Sequence, residues 1–277
     1  MAKGTGLIGN FRGKVGNMVG YNLKDSNNKQ TQGVRVYQPI VKNPKTYAQA
    51  EQRAKLAPIN ATYRALKAII DRGQEGKTYG NKSRLAWLSA AMKAFNGGWF
   101  EKSEVVGYPA LVNITRGSLS FSPDMSDVDR EVVFRVTGLA TTDTTIGAVS
   151  TKIIARYPSL QNGDQLTFVG TYGTGTAISA RFDSIILNTE STDALPSWLT
   201  VPAENKLQAF NSGNDCNAAT VIVSRESNTG QHLRSTNTLS TTENYDPERL
   251  EDAAKEAAIK SYMAGSTTSD WAEESVQ

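Results

Sequence analysis

The sequence predicts an α+β protein: an N-terminal Gly-rich β-hairpin and small helical layer, an antiparallel β-sandwich of about immunoglobulin size, and a C-terminal helix. Three observations carry this reading. Six glycines fall within the first twenty residues, at Gly4, Gly6, Gly9, Gly13, Gly16 and Gly20. Apolar side chains then recur at helical spacing as far as Phe95, and from about Val105 the period changes to two. The expected division is residues 1–104 for a basic hairpin and helical docking region, 105–240 for the sandwich, and 241–277 for an acidic helix and tail.

Glycine this dense weakens any regular element, since each one forgoes side-chain packing and adds backbone entropy. Two short strands therefore fit better than a helix: Gly13 to Tyr21, and Gly33 to Pro39, where Val34 and Val36 alternate with Arg35 and Tyr37. The connector DSNNKQTQG is polar and turn-forming. A hairpin of this size is marginal alone in water, so it must pack on the rest of the chain or on a partner.

Asn43-Pro44 reads as an N-cap and first-turn proline opening TYAQAEQRAKLA, and Pro58 is expected to kink or break that helix. A second helix, from Ile59 to Asp71, carries Leu66, Ile69 and Ile70 and stops at Gly73. A third begins near Asn81 and sets Leu85, Leu88, Met92 and Phe95 on one stripe, ending at Gly97-Gly98. Candidate strands follow at Ala110–Thr115, Val132–Thr137, Thr151–Tyr157, Gln165–Tyr172, Ser184–Asn188, Leu199–Ala203 and Ala219–Arg225, with turn signals such as Asn162-Gly163-Asp164 between them. Asp246-Pro247 caps a last helix on which Glu248, Glu251, Asp252 and Glu256 share a solvated face.

Charge is unevenly spread. The first hundred residues hold 17 Lys+Arg against 4 Asp+Glu and the other 177 hold 13 against 23, although the whole chain is only +3. A basic front and an acidic back favour an acidic partner, or head-to-tail contact with another copy. No apolar run approaches the roughly 20 residues of a membrane span, and no secretory segment opens the chain, so a protein used without export is expected.

Enzymatic chemistry finds little footing. Cys216 and His232 are the only cysteine and the only histidine, which excludes an intrachain disulfide and a Cys/His zinc set. They flank a predicted strand, and nothing near them marks an oxyanion hole. Cys216 reads as a small buried hydrophobe and His232 as a satisfied or solvent-facing side chain. The run from Gly9 to Gly13-Lys14 is one residue short of a phosphate loop and has Val15 where a hydroxyl must reach magnesium. Gly170, Gly173 and Gly175 are in the wrong order for a dinucleotide fingerprint and read as a strand-end turn. Asp124, Asp127 and Asp129 resemble the start of a calcium loop, but the required glycine and distal glutamate are missing. The sequence thus predicts a non-enzymatic protein with no catalytic residue, cofactor or metal.

The front third resembles a family of uncharacterised proteins of Bacteroidota and their bacteriophages. The likeness rests on Gly6-Leu-Ile-Gly9-Asn-Phe11-Arg-Gly13-Lys14-Val15-Gly16, on Val34-Arg35-Val36-Tyr37-Gln38-Pro39, on Lys42 to Gln49, and on Arg116-Gly117-Ser118-Leu119. It covers roughly residues 4–120, and the acidic helix and Trp-bearing tail look like additions. The phage context implies a structural component of a virion, in capsid, neck or tail, made in the host cytoplasm. Its expected partners are other virion proteins or copies of itself, with no membrane. Phe11, Arg12, Lys14, Val15, Lys24, Arg35, Tyr37 and Trp271 are the expected partner-binding residues. The alternative is contact with packaged nucleic acid through the same basic region, where cations alternate with aromatic rings.

Overall fold

The computed structural model describes residues 13–24, 30–37, 46–95, 98–103, 113–125, 132–174, 177–210, 216, 218–228, 230–241 and 251–263. The chain divides into two compact units, residues 1–45 and 46–277. The first is an antiparallel sheet of three strands in sequence order: β1 (Gly13–Val15), β2 (Met18–Lys24) and β3 (Gln30–Val36). The expected strand from Gly13 to Tyr21 is therefore two. Gly16-Asn17 turns the chain between Val15 and Met18, with Gly16 at φ +57°, the left-handed first position that a tight hairpin of Gly-first type demands. The second expected strand starts earlier than the sequence suggested, at Gln30.

The second unit is built in three layers. Helices α1 (Tyr47–Ala65), α2 (Lys67–Ile70) and α3 (Asn81–Lys93) precede the short strand β4 (Asn113–Thr115), then β5 (Val132–Arg135) and α4 (Ile146–Arg156). There follow β6 (Gln165–Thr174), β7 (Ala177–Ile186), β8 (Leu199–Ala203), β9 (Lys206–Ala209) and β10 (Ala218–Glu226). The short strands β11 (His232–Arg234), β12 (Asn237–Thr238) and β13 (Ser240–Thr241) lead to α5 (Asp252–Met263).

Strand β10 organises the unit. It pairs with β6 along most of its length and with β13 and β11 at its two ends, and β6 pairs with β7. Its first six residues, AATVIV, are all buried, because both faces of this sheet are covered. On one face Val221, Val223, Leu166, Phe168 and Ile185 meet Val132, Phe134 and Leu207 of the β5-β9-β8 sheet, and Val149 and Ile153 of α4. On the other, Ile222 and Val169 meet Ile59, Leu66, Ile70, Trp87 and Ala91 of the helical layer. The two antiparallel sheets are the expected sandwich, and the helices cover its outer face. The fold is α+β.

Four elements depart from expectation for identifiable reasons. Helix α1 runs through Pro58 without a break, and Pro58 and Ile59 are both buried. A mid-helix proline costs about 3 kcal/mol, which packing of both halves against one core offsets. Its N-cap is Thr46, whose Oγ1 accepts from the Gln49 N–H at 3.4 Å; the expected Asn43-Pro44 lies outside the described residues. On α3 the inward face is Ser83, Trp87 and Ala91, while Leu85 is 52% exposed. Small residues one turn either side of Trp87 let the indole enter the core. The segment expected as a strand at Thr151–Tyr157 belongs to helix α4, capped by Thr145, with Val149 and Ile153 one turn apart on its buried side. Finally, β7 begins at Ala177, so that β6 and β7 form one long hairpin.

The C-terminal helix forms part of the helical layer. Ala258 and Ile259 are buried, and Lys255 Nζ lies 3.7 Å from Glu51 Oε1 of α1, which also pairs with Lys55 at 2.9 Å. The Trp99 ring has the ammonium groups of Lys55 and Lys255 each 5.6 Å from its centroid. The Glu51–Lys255 pair joins an acid of the basic front to a base of the acidic back, so it leaves the charge asymmetry of the two halves in place. Glu251, Asp252 and Glu256 are exposed, as a solvated face requires. Asp246, Pro247 and Glu248 lie outside the described residues.

Candidate functional site

The N-terminal sheet carries the features of an interaction surface. Residues 1–45 contain eight basic side chains and one acidic one. In the antiparallel register Lys14 stands opposite Val19, Val19 opposite Arg35, and Tyr21 opposite Gly33. These positions share one face, since directly opposed residues point the same way. Lys14 and Arg35 are exposed, and Lys14 Nζ sits 3.6 Å from the centroid of the Tyr37 ring, a cation–π contact. The Tyr37 N–H donates to the Asn17 carbonyl at 2.6 Å, tying the end of β3 to the turn. Gly33 is required by its neighbour: a Cβ there would lie 2.7 Å from the Tyr21 ring, which fills the space over the glycine.

The opposite face is apolar. Met18 pairs with Val36 and Gly20 with Val34. Met18 is 41%, Val34 54% and Val36 72% exposed, so three apolar side chains of one small sheet meet water together. Such clustering marks an interaction site more than scattered exposed hydrophobes do. Among the described residues β3 pairs only with β2, so its outer edge offers backbone N–H and C=O groups for strand addition.

Of the expected partner-binding residues, Lys14, Arg35 and Tyr37 are brought together on the cationic face. Val15 pairs with Met18 beside the turn, and Lys24 pairs with Gln30 at the far end of the hairpin. Phe11, Arg12 and Trp271 lie outside the described residues. Met18 and the exposure of Val34 and Val36 were missed as a set. The alternation of valine with Arg35 and Tyr37 was the available signal.

The Arg116–Leu119 motif proves to be a seam within the second unit. Arg116 bridges to Gln74 and Leu119 to Ser235. Glu75 accepts from Ser118 N–H at 2.9 Å, Ser118 Oγ–H at 2.8 Å and Arg234 N–H at 3.0 Å. Burial alone would raise the Glu75 pKa, but these bonds outweigh it and hold the carboxyl below its ordinary value.

Other candidates take structural places. Cys216 is buried, its thiol donates to the Ala218 carbonyl at 3.3 Å, and burial pushes it up to about 11, far from a thiolate at neutral pH. His232 is exposed against the Tyr79 ring. Gly170 lies inside β6 and not in a strand-end turn, where a Cβ would come 2.7 Å from Val132 Cγ2; Gly173 is also in β6, and Gly175 lies outside the described residues, as do Asp127 and Asp129. Among the described residues no group of three or more His, Cys, Asp or Glu is placed to hold a metal ion. None of their helices is long and apolar enough to cross a membrane. The chain matches no protein-family model, no curated protein and no solved structure.

Proposed function

We propose that this chain is a non-enzymatic structural component of a bacteriophage particle, joined to its neighbours through the N-terminal sheet. One observation carries the reading: Met18, Val34 and Val36 lie exposed on one face of a three-stranded sheet whose β3 edge is open among the described residues. A sheet of this size gains little stability from its own contacts. Covering its apolar face and extending its edge with a neighbour's strand removes both deficits. The phage setting is supported by the resemblance over residues 4–120.

Replacing Val34 and Val36 together by glutamate tests the surface. The variant is expected to keep the melting temperature of the second unit while its abundance in purified particles, measured by mass spectrometry, falls at least about tenfold, as loss of a central apolar contact implies. Normal incorporation contradicts the proposal. The exposed Lys14 and Arg35 beside Tyr37 favour one second reading, contact with nucleic acid through the cationic face. That reading requires oligonucleotide affinity that falls steeply with added salt and depends on these two cations.

A further inference from the structure

Between the loop that joins α2 to α3 and strand β11 lies a cleft of about 450 Å³, well away in sequence from the N-terminal sheet. Its walls combine cations, aromatic rings and an amide. Arg72, Lys77 and Arg234 supply three cations. The ion pairs among the described residues engage Lys55, Arg225, Lys255 and Lys260, and none of these three. Tyr79 and His232 meet as a tilted pair, with ring centroids 5.9 Å apart and planes inclined by 37°, and Tyr79 is 47% exposed, so the pair presents aromatic surface to the opening. Gln74 lines the same cleft. It is only 8% exposed.

Glu75 is the one carboxylate among the described lining residues. Its oxygens are occupied by Ser118 and by the Arg234 N–H, so it offsets one of the three cations and leaves the cleft with an excess of two positive charges. The wall is also held in shape before anything binds. Gly76 and Gly80 take φ of +73° and +81°, the Gly80 N–H donates to the Asp71 carbonyl at 2.8 Å, and Tyr63 Oη–H donates to Asp71 Oδ1 at 2.9 Å. A preformed site has less ordering cost to overcome on binding.

We infer that this cleft binds a phosphorylated aromatic ligand, a nucleotide either free or as a unit of a single strand. The base stacks on the Tyr79–His232 pair, the phosphate meets Arg72, Lys77 and Arg234, and the Gln74 amide reads a polar edge. Stacking on aromatic rings tolerates any base, while guanidinium and ammonium groups bind phosphate with charge-assisted hydrogen bonds. The inference is independent of the assembly reading, because it uses no residue of the N-terminal sheet.

The single histidine makes the test direct. In proton NMR of the full chain, the His232 imidazole signals are followed while ADP, an oligothymidylate or inorganic phosphate is added. Saturable shifts with ADP or the oligothymidylate, larger than with inorganic phosphate, are expected. Tighter binding of the oligothymidylate assigns the ligand to a nucleic-acid strand, and tighter binding of ADP to a free nucleotide. Arg72→Ala with Lys77→Ala is expected to weaken binding at least about tenfold, and Tyr79→Ala about fivefold or more. Lys82→Ala with Lys93→Ala, two exposed cations of α3 that do not line the cleft, should leave it unchanged. All the substituted side chains are at the surface, and circular dichroism checks that each variant is folded. Imidazole signals unmoved by ADP and oligothymidylate overturn the inference. So does binding that is lost with Lys14 and Arg35 but kept without Arg72, Lys77 and Tyr79.

Discussion

Replacing Asp164 by alanine is expected to cost about 3–5 kcal/mol of stability, the range for removing one partner of a buried ion pair. The Asp164 side chain is fully buried just before β6, and Arg225 at the far end of β10 grips it in fork geometry. The Arg225 Nε–H donates to Oδ1 at 2.6 Å and Nη2–H to Oδ2 at 2.7 Å. Nη2 also donates to the Ser159 carbonyl at 2.8 Å, while Oδ2 accepts from the Gln161 N–H at 2.9 Å. The hydrogen bonds to Asp164 raise the pKa of the guanidinium, and guanidinium is basic enough by itself to keep its charge when that partner is removed. The alanine variant leaves that charge and the Gln161 N–H without their acceptor. Thermal unfolding should show a midpoint about 10 °C lower. A double variant, Asp164→Leu with Arg225→Met, should recover much of the loss, because it leaves no unpaired charge behind. A midpoint within about 2 °C of the parent protein for Asp164→Ala would show that the pair contributes nothing of the kind.

Gly117→Ala is the second large effect, expected to destabilise by about 3 kcal/mol through overpacking. A Cβ at this position would stand 2.1 Å from the Arg234 carbonyl oxygen, 2.6 Å from its carbonyl carbon and 2.6 Å from Glu75 Oε2. Two of those three atoms are backbone and cannot rotate aside. The same Arg234 oxygen accepts from the Leu119 N–H at 2.9 Å, and Thr236 Oγ1 binds both the N–H and the carbonyl of Gly117. Opening the seam to admit a methyl group therefore loosens β11 and the Glu75 hydrogen bonds together. Urea unfolding measures the cost. A loss below about 0.5 kcal/mol, the scale of an ordinary surface change, would mean that the seam is not close-packed.

The motif Arg-Gly-Ser-Leu was legible in the sequence as a likeness, but its physical meaning was not. Its glycine is fixed by contact with Arg234, more than a hundred residues later, and no local pattern reveals that. Elements decided by local chemistry were read more faithfully. The Asn162-Gly163 turn is present with Gly163 at φ +92°, and α3 starts at Asn81 as its pattern predicts. Errors came where tertiary contacts outweigh local preference. Pro58 stays inside α1 because both flanking halves are anchored. The β-branched run around Ile153 and Ile154 is held helical by its Thr145 cap and by burial of one side. The run Ala218–Val223, apolar but for Thr220, was itself a usable sign that β10 is covered on both faces, and hence that the helices lie on the sheet.

At the candidate site, alternation in Val34–Tyr37 gave the two faces of β3, and composition gave the excess of cations. The register that aligns Lys14 with Arg35 across Val19, and Met18 with Val36, required the Gly16-Asn17 turn to be placed correctly. Shifting that turn by one residue would exchange the faces of β1 relative to β2. The cleft beside Tyr79 was invisible for another reason: its cations and rings come from two segments about 150 residues apart.

The claim on which the functional reading stands is that the β3 edge and the Met18–Val34–Val36 face are covered by a neighbour in the particle. Amide hydrogen exchange over Gln30–Val36, compared between the isolated chain and assembled particles, tests it most directly. Exchange slowed at least about a hundredfold on assembly is the predicted result, since new strand pairing protects the edge amides. Equal exchange in both states would contradict it.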